Sequence, residues 1–239
     1  MNDENFSKSK VEQIEDTLIK LKELGVLETE IVKRYEDKIL SLKNNELSYF
    51  FAKNIEGADV KAHGNVIIGS KDLEYNYYFA VLPGADVKAH EQIIIDSKNL
   101  KFNLDFAKNV EGADVKAHGK VIIDSKNLEY NYIFARDVKG ADVKAHGKII
   151  LDSKDLKFNF LFARDIGRSD FKAHEQIILD SEDLAHNLLF LDLEKSDKNA
   201  HKRVINKPVI TYDCNFLDNA LDEMIKENSE ENKSMQKRY

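Results

Sequence analysis

The chain has 239 residues, and its 36 Lys and Arg stand against 43 Asp and Glu, which gives a formal net charge of −7. This mild acidity argues against a protein that binds nucleic acid or an anionic membrane directly, because such proteins carry a basic excess. The single cysteine, Cys214, excludes an internal disulfide framework and indicates a reducing compartment, and no apolar run of about 18 residues would span a bilayer. We therefore expect a cytoplasmic protein.

The first predicted element is a helix at the N-terminus. Apolar residues recur there at helical spacing, and the stripe stops at Gly25, a residue type that commonly terminates helices. We predict that residues 1–28 form an N-terminal capping helix. The stripe consists of Val11, Ile14, Leu18, Leu21 and Leu24.

A repeat of about 28 residues follows and determines the fold expected for most of the chain. A phrase that ends in histidine, first seen at Gly57–His63, returns five times, and its last two copies are degraded. The histidines are 27 or 28 residues apart, and a second phrase, first complete at Leu73–Ala80, interleaves with the same period. We predict a repeat array over residues 29–206. Its histidines are His63, His90, His118, His146, His174 and His201.

Each repeat has a helical and a strand interpretation. Alternating apolar residues such as Leu128, Tyr130 and Tyr132 are typical of a strand and leave a β-solenoid as the alternative fold. Capping residues favour helices, since Asp142 precedes one segment and Gly140 stands where a C′ glycine would end the segment before it. Alanine and lysine inside both segments also disfavour strands. The N-caps predicted for the other segment are Asp72, Asn99, Asn127, Asp155 and Asp183.

The predicted fold is therefore all-α, an α-solenoid of two-helix, 28-residue repeats with a capping helix at each end. After His201 the pattern breaks at Pro208. An apolar stripe between Phe216 and Ile225 then predicts a C-terminal cap over residues 207–227. The last segment, residues 228–239, is charged and has almost no apolar side chains, so we predict a disordered tail.

Part of the array resembles a known kind of repeat. Residues Tyr132–Ala145 read Tyr-x-Phe-Ala-Arg-Asp-Val-x-Gly-Ala-Asp-Val-x-Ala, and Ile149–Ser153 follow. This pattern is similar to short helical repeats of uncharacterised bacterial and phage proteins, and residues 57–195 carry the similarity best. Those repeats often have an apolar residue at the position of His146 and a proline at that of Leu128. The resemblance implies helices and a bacterial host cell or a phage-infected cell, and it implies no activity.

The histidines and a matching set of asparagines are predicted to be structural. His146 and Asn131 each fall in the centre of an apolar helical arc, and burying either without a partner costs about 1–3 kcal/mol. We expect them to hydrogen-bond to each other or to free backbone groups at helix ends, as a structural polar ladder. Histidines on helices stacked about 8–10 Å apart do not share one zinc ion, so no metal site is predicted. The asparagines are Asn76, Asn103, Asn131, Asn159 and Asn187.

One outward position varies between repeats whose core positions are nearly fixed. Apolar side chains in a row on a solenoid surface are candidates for a partner-binding groove, unless they pack against the next repeat. The Asp-Ser-Lys turns, such as Asp124–Lys126, contain nucleophile-like residues, but their repetition indicates turn and cap chemistry. We predict no catalytic and no cofactor-binding residues. The candidate partner-binding residues are Tyr78, Asp105, Ile133, Leu161 and Leu189.

These observations predict a non-enzymatic, protein-binding helical-repeat scaffold or adaptor that uses no cofactor. The alternative is an acidic, phage-encoded inhibitor of a host defence nuclease or of another nucleic-acid-handling enzyme, which would occupy a basic channel. In both cases the partner is another protein, and in the alternative it is a basic nucleic-acid-binding enzyme. Neither nucleic acid nor a membrane is expected as a direct partner.

Overall fold

The structure is a computed structural model that describes residues 9–26 and 28–207. These residues form fourteen α-helices and no strand, which confirms the all-α prediction and excludes the β-solenoid alternative for this part of the chain. The helices are α1 (Lys10–Glu23), α2 (Thr29–Leu42), α3 (Asn45–Asn54), α4 (Val60–Ser70), α5 (Leu73–Ala80), α6 (Val87–Ser97), α7 (Leu100–Asn109), α8 (Val115–Ser125), α9 (Leu128–Asp137), α10 (Val143–Ser153), α11 (Leu156–Asp165), α12 (Phe171–Ser181), α13 (Leu184–Phe190) and α14 (Lys198–Ile205).

The chain divides into two compact units, one that ends at Ile177 and one that begins at Ile178. In the first unit, helices α3, α5, α7, α9 and α11 pack side by side in one row, and α2, α4, α6, α8 and α10 form a second row. Each odd-numbered helix from α3 to α9 also packs closely on the even-numbered helix that follows it, which is the arrangement of an α-solenoid. In the second unit, α13 and α14 form a hairpin of the same kind.

The N-terminal helix α1 packs against α3, at the start of the first row. Leu18 of α1 is buried in a cluster with Val32 and Ile39 of α2 and with Phe51 of α3. Of the predicted apolar stripe, Leu24 lies beyond the end of α1 and is exposed. The predicted C-terminal cap at residues 207–227, apart from Lys207, and the predicted tail at residues 228–239 lie outside the described residues.

Helices α5, α7, α9, α11 and α13 begin at the predicted N-caps, and a glycine of positive φ lies in the turn after α3, α5, α7 and α9. The Asn127 side chain accepts a hydrogen bond from the Tyr130 backbone N–H at 3.0 Å, as an N-cap does. At the other end Val138 is the C-cap, and its carbonyl accepts from the Ala141 N–H at 3.2 Å. Gly140 lies inside this turn and has a φ of +88°. Because the C-cap is Val138, Gly140 is the C″ residue, whereas the sequence predicted it at C′.

Helices α2, α4, α6, α8, α10 and α12 end differently, on a lysine or glutamate in the left-handed conformation. Lys126 is the C-cap of α8 with a φ of +54°, which costs an L-amino acid other than glycine about 1–2 kcal/mol. The preceding Ser125 hydroxyl donates to the Ile122 carbonyl at 2.6 Å and accepts from the Asn127 N–H at 3.1 Å. The Asp-Ser-Lys turns therefore join two helices. Residues of this conformation are Lys43, Lys71, Lys98, Lys126, Lys154 and Glu182.

One phenylalanine and one isoleucine of each repeat form the fully buried core. Burying each of these side chains contributes about 1.5–3 kcal/mol, and the contributions recur once per repeat. The shorter repeat does not disturb this core, because α5 stops at Ala80 and the missing residue is absorbed in the turn before Asp86. The core residues are Phe51, Phe79, Phe106, Phe134, Phe162 and Phe190 with Ile67, Ile94, Ile122, Ile150 and Ile178.

Candidate functional site

The polar ladder is a set of histidine–asparagine pairs inside the repeats. His146 Nδ1 lies 2.8 Å from the Asn131 side-chain oxygen, and both residues are completely buried. The Asn131 amide group donates to the carbonyls of Ile122 at 3.1 Å and of Asn127 at 2.8 Å. With both amide protons used, the Asn131 oxygen is an acceptor, so the His146 proton is on Nδ1. One asparagine thus ties α9 to the end of α8 and to α10.

The same geometry is repeated, with one exception. The histidine Nδ1 to asparagine oxygen distance is 2.8 Å or 2.7 Å in each pair, as expected for two buried polar groups that satisfy each other. In the first repeat Ser48 stands in the asparagine register, and neither its hydroxyl nor either ring nitrogen of His63 has a hydrogen-bond partner. The other pairs are His90–Asn76, His118–Asn103, His174–Asn159 and His201–Asn187.

Burial disfavours the charged form of the histidines of the first unit, His63, His90, His118, His146 and His174. It lowers the pKa of His90, His146 and His174 to about 4, because an imidazolium ion in the core loses its hydration. Burial also lowers the pKa of His63 and His118, but there Glu36 and Glu91 oppose the shift. The histidine environments therefore fall into two classes, with and without a neighbouring carboxylate.

The carboxylate of Glu91 occupies the Nε2 side of the next histidine. Its Oε1 accepts the backbone N–H of Asp114 at 2.5 Å and lies 3.3 Å from His118 Nε2. The Lys88 ammonium group contacts Oε2 at 2.7 Å. Glu91 itself is only 3% exposed, so a buried carboxylate is held by two donors from two repeats, the Asp114 N–H and the Lys88 ammonium group, while His118 presents an unprotonated Nε2 beside it.

Glu36 makes the same kind of contact one repeat before His63. Its Oε1 accepts the Asp59 N–H at 2.6 Å and lies 3.5 Å from His63 Nε2, and Lys33 is 3.8 Å from Oε2. These buried carboxylates were not among the residues predicted from the sequence. The signal was present in the residue that follows each position of the histidine register: Glu36, Gly64, Glu91, Gly119, Gly147 and Glu175.

Beside Gly119 and Gly147 the space is open. A cavity of about 390 Å³ is lined by Lys116, Gly119, Lys120, Asp142 and His146, among others. A second one, of about 650 Å³, is lined by the equivalent residues one repeat later. We call these cavities the Gly119 slot and the Gly147 slot. The second is lined by Lys144, Gly147, Lys148, Asp170 and His174, with Arg168 at its side.

The predicted partner-binding positions have different surroundings. Ile133 and Leu161 are half-buried and pack against the buried clusters of their repeats, and Asp105 is half-buried as well. Tyr78 is 40% exposed, and in the second unit Leu189 is 45% exposed. The structure therefore does not present Tyr78, Ile133 and Leu161 as equally free side chains.

Tyr78 belongs to a group of aromatic rings that we call the tyrosine cluster. Its ring centroid lies 6.0 Å from that of Tyr49, 6.5 Å from that of Tyr75 and 5.7 Å from that of Tyr77. The Tyr78 hydroxyl donates to the Glu74 carboxylate at 2.8 Å, which fixes the exposed ring. The cluster lies on α3 and α5 of the first unit.

Within residues 9–26 and 28–207, no three His, Cys, Asp or Glu side chains are grouped so that they could hold a metal ion. None of the helices in that part of the chain has the length and the apolar composition needed to cross a bilayer.

Comparison of the chain with models of protein families, with curated proteins and with solved structures gives no match.

Proposed function

We propose that the protein is a non-enzymatic, protein-binding helical-repeat scaffold that acts in the cytoplasm of a bacterial or phage-infected cell. The observation that carries this proposal is the tyrosine cluster, a fixed and partly exposed aromatic surface on a repetitive framework. Tyrosine is enriched in protein interfaces because its ring supplies apolar area at a small cost in conformational entropy.

The repeat framework does not need tyrosine at this surface. The positions equivalent to Tyr78 in the next repeats carry Asp105, Ile133 and Leu161, and the histidine–asparagine pairs beneath them have the same distances as His90–Asn76. A position whose residue differs between repeats while the core contacts stay the same can be used to bind a partner. This supports Tyr78 as the centre of the binding surface.

The titratable side chains support a role without catalysis. Five histidines of the array, such as His146, are buried and bonded to asparagine, and aspartates such as Asp142 cap helices, with the carboxylate accepting the Ala145 N–H at 3.0 Å. In these roles the histidine Nδ1 atoms and the aspartate carboxylates are already engaged within the fold. General acid–base catalysis requires a group within hydrogen-bond reach of the reacting atom.

The proposal is tested by capturing the partner from the source cell, purifying it, and measuring its affinity for variants of the chain by calorimetry. We expect Tyr78→Ala to weaken binding about tenfold or more, as a central aromatic residue of an interface does. Asp105→Ala, at the equivalent position of the next repeat, is the matched control and should leave the affinity within about twofold. Equal affinities for wild type and Tyr78→Ala would contradict the proposal.

The inhibitor alternative rests on the net charge of −7 and predicts a different salt dependence. Binding of an acidic surface to a basic nucleic-acid-handling enzyme would weaken steeply with salt, because exposed charges are screened over about 8–10 Å at physiological ionic strength. A scaffold that binds through the tyrosine cluster would retain its affinity in salt. The same calorimetric titrations at low and high salt distinguish the two functions.

A further inference from the structure

The first observation is how the chain holds its own buried carboxylate. Glu91 is bound by the Asp114 N–H at 2.5 Å and by Lys88 at 2.7 Å, and His118 Nε2 lies 3.3 Å away. The three groups are a backbone donor at a helix N-terminus, an ammonium ion and an imidazole. Together they form a site whose chemistry suits a carboxylate.

The second observation is that the same three groups recur around Gly119 without the carboxylate. Lys116 is equivalent to Lys88, the Asp142 N–H to that of Asp114, and His146 to His118. His146 is completely buried, and its Nε2 has no hydrogen-bond partner. Lys116 forms no ion pair with any residue that the structure describes, in contrast to Lys88.

The third observation is the space itself. A Cβ atom built on Gly119 would lie 3.5 Å from His146 Nε2 and 3.3 Å from Phe134, so a side chain would start at this point and extend into the Gly119 slot. At Gly147 the corresponding distance to His174 Nε2 is 3.7 Å. Cavities of a few hundred cubic ångströms are the usual size for bound ligand groups, and both slots fall within this range.

We propose that the Gly119 and Gly147 slots are carboxylate-binding sites, each of which takes from a partner the group that Glu91 supplies within the chain. The slots are one repeat apart on neighbouring helices, a separation of about 8–10 Å. In a polyproline II segment, which has three residues per turn and rises about 3.1 Å per residue, Asp or Glu side chains three residues apart lie on the same face and span about 9 Å. The ligand is therefore an acidic segment of another protein with two such carboxylates. This surface is separate from the tyrosine cluster, and the inference does not depend on it.

Binding in a slot takes up a proton. Because His146 Nδ1 carries the proton given to Asn131, its neutral ring presents a lone pair at Nε2, and a bound carboxylate must share one proton with that atom. The other charged groups that face the ring are Asp142, whose carboxylate caps α10, and Lys116 and Lys120 at the mouth of the slot. Calorimetry in two buffers of different ionisation enthalpy measures this uptake.

The direct test uses the full chain labelled with ¹⁵N-histidine and a synthetic peptide with two Glu residues three positions apart in a Gly-Ser sequence. We expect the Nε2 resonances of His146 and His174 to move on titration, while that of His118 stays in place. A peptide with Gln in place of Glu is the control and should leave all three unchanged. Acetate tests a small acid as ligand and should bind at least about tenfold more weakly, since it fills one slot at a time.

Variants of the chain exchange open and filled sites. Gly119→Glu should abolish the response of His146 and leave that of His174, because the new side chain occupies the slot as Glu91 does. Glu91→Gly should make the His118 Nε2 resonance move on titration with the Glu peptide. This second variant tests the proposal independently if Gly119→Glu does not fold. The proposal is overturned if the Glu peptide moves neither His146 nor His174 at about 1 mM, if the Gln peptide has the same effect, or if acetate binds as tightly as the peptide.

Discussion

The repeat that carries Glu91 and the repeat that carries Gly119 have the same core and opposite polar surroundings. In both, the next histidine is bonded through Nδ1 to an asparagine at 2.8 Å and packs on a phenylalanine, at ring distances of 5.1 Å and 4.9 Å. In the first, Glu91 Oε1 lies 3.3 Å from Nε2 of His118, whereas in the second no carboxylate of the described residues lies within ion-pair distance of Nε2 of His146. Neither nitrogen makes a hydrogen bond. The contacts of Nδ1 and of the ring face are therefore the same in both repeats, whereas the surroundings of Nε2 differ.

The asparagine, rather than the carboxylate, determines the register of the repeats. Asn131 satisfies two carbonyls and one histidine at once, and buried polar groups that satisfy each other specify a unique arrangement. The carboxylate is added in some repeats and absent in others without a change in the histidine–asparagine distance. The predictions below separate the two contributions.

The largest effect is expected from the asparagine. Asn131→Ala leaves His146 Nδ1 and the Asn127 carbonyl with one hydrogen bond fewer each and creates a cavity, so we expect a loss of about 4 kcal/mol in the free energy of unfolding, measured with urea. Ser48→Asn is the converse variant and should stabilise by about 1 kcal/mol, because it supplies the missing partner of His63. A loss below about 1 kcal/mol for Asn131→Ala would mean that the pair does not hold the repeat together.

The next effect is the pH dependence of stability. His90, His146 and His174 have a folded pKa of about 4 against about 6.5 in the unfolded chain, so between these values the unfolded chain binds more protons. Stability that is present above pH 6.5 is therefore lost as the pH falls, by about 1 kcal/mol per histidine at pH 5.5. Urea denaturation at pH 7.5 and 5.5 measures this loss, and equal stabilities would rule it out.

Gly119→Glu provides the matched comparison for this pH dependence. A carboxylate beside His146 favours its charged form, as Glu91 does beside His118, so the loss between pH 7.5 and 5.5 should be smaller in the variant. A loss equal to that of the wild type would show that the two classes of histidine do not differ in the way the geometry indicates.

A smaller effect is expected from the charge of Glu91. Glu91→Gln keeps an acceptor for the Asp114 N–H but replaces a charge-assisted hydrogen bond by a neutral one and removes the charge that faces Lys88, and we expect a loss of about 1 kcal/mol at pH 7. Lys88→Met should cost less than Glu91→Gln, because the ammonium group is exposed. Chemical denaturation of both variants gives the order, and a reversed order would contradict the role given to Asp114.

The smallest effect concerns the left-handed C-caps, which both repeats share. Lys126→Gly removes the steric cost of a φ of +54°, while the unfolded chain gains entropy from the new glycine. We expect a net stabilisation of less than about 1 kcal/mol, seen as a rise of a few degrees in Tm. The same replacement at Lys120, inside α8, is the control and should destabilise by about 1 kcal/mol. A destabilised Lys126→Gly would contradict the strain at this cap.

The repeat period and the capping residues were sufficient to predict the helices, because residues equivalent to Asn127 and Asp142 precede the helices of successive repeats. Gly140 was predicted at C′ and lies at C″, since glycine is common both in turns and at helix C-termini. The positive φ of Lys126 was not predicted, because lysine as a residue type does not indicate it. The pairing of His146 with Asn131 was expected from two polar residues on apolar arcs, but which ring nitrogen faces the asparagine depends on coordinates.

The slots could not be predicted for a different reason. Glu91 and Gly119 occupy one position of the repeat, and whether a glutamate there is exposed or buried depends on donors that the next repeat contributes, namely Asp114 and His118. The outward position was predicted only in part. Ile133 and Leu161 pack on their own clusters, a contact that no single-repeat pattern distinguishes from exposure, whereas Tyr78 is exposed among other rings.

The most direct test of this account is an NMR titration of the histidine side chains in the full chain without ligand. We predict that His146 and His174 keep the proton on Nδ1 and an unprotonated Nε2 from pH 7.5 down to at least pH 5, because burial lowers the pKa of both to about 4. Glu91→Gly should bring His118 into the same class. Titration of His146 near pH 6.5, or a proton on its Nε2 at neutral pH, would contradict the account.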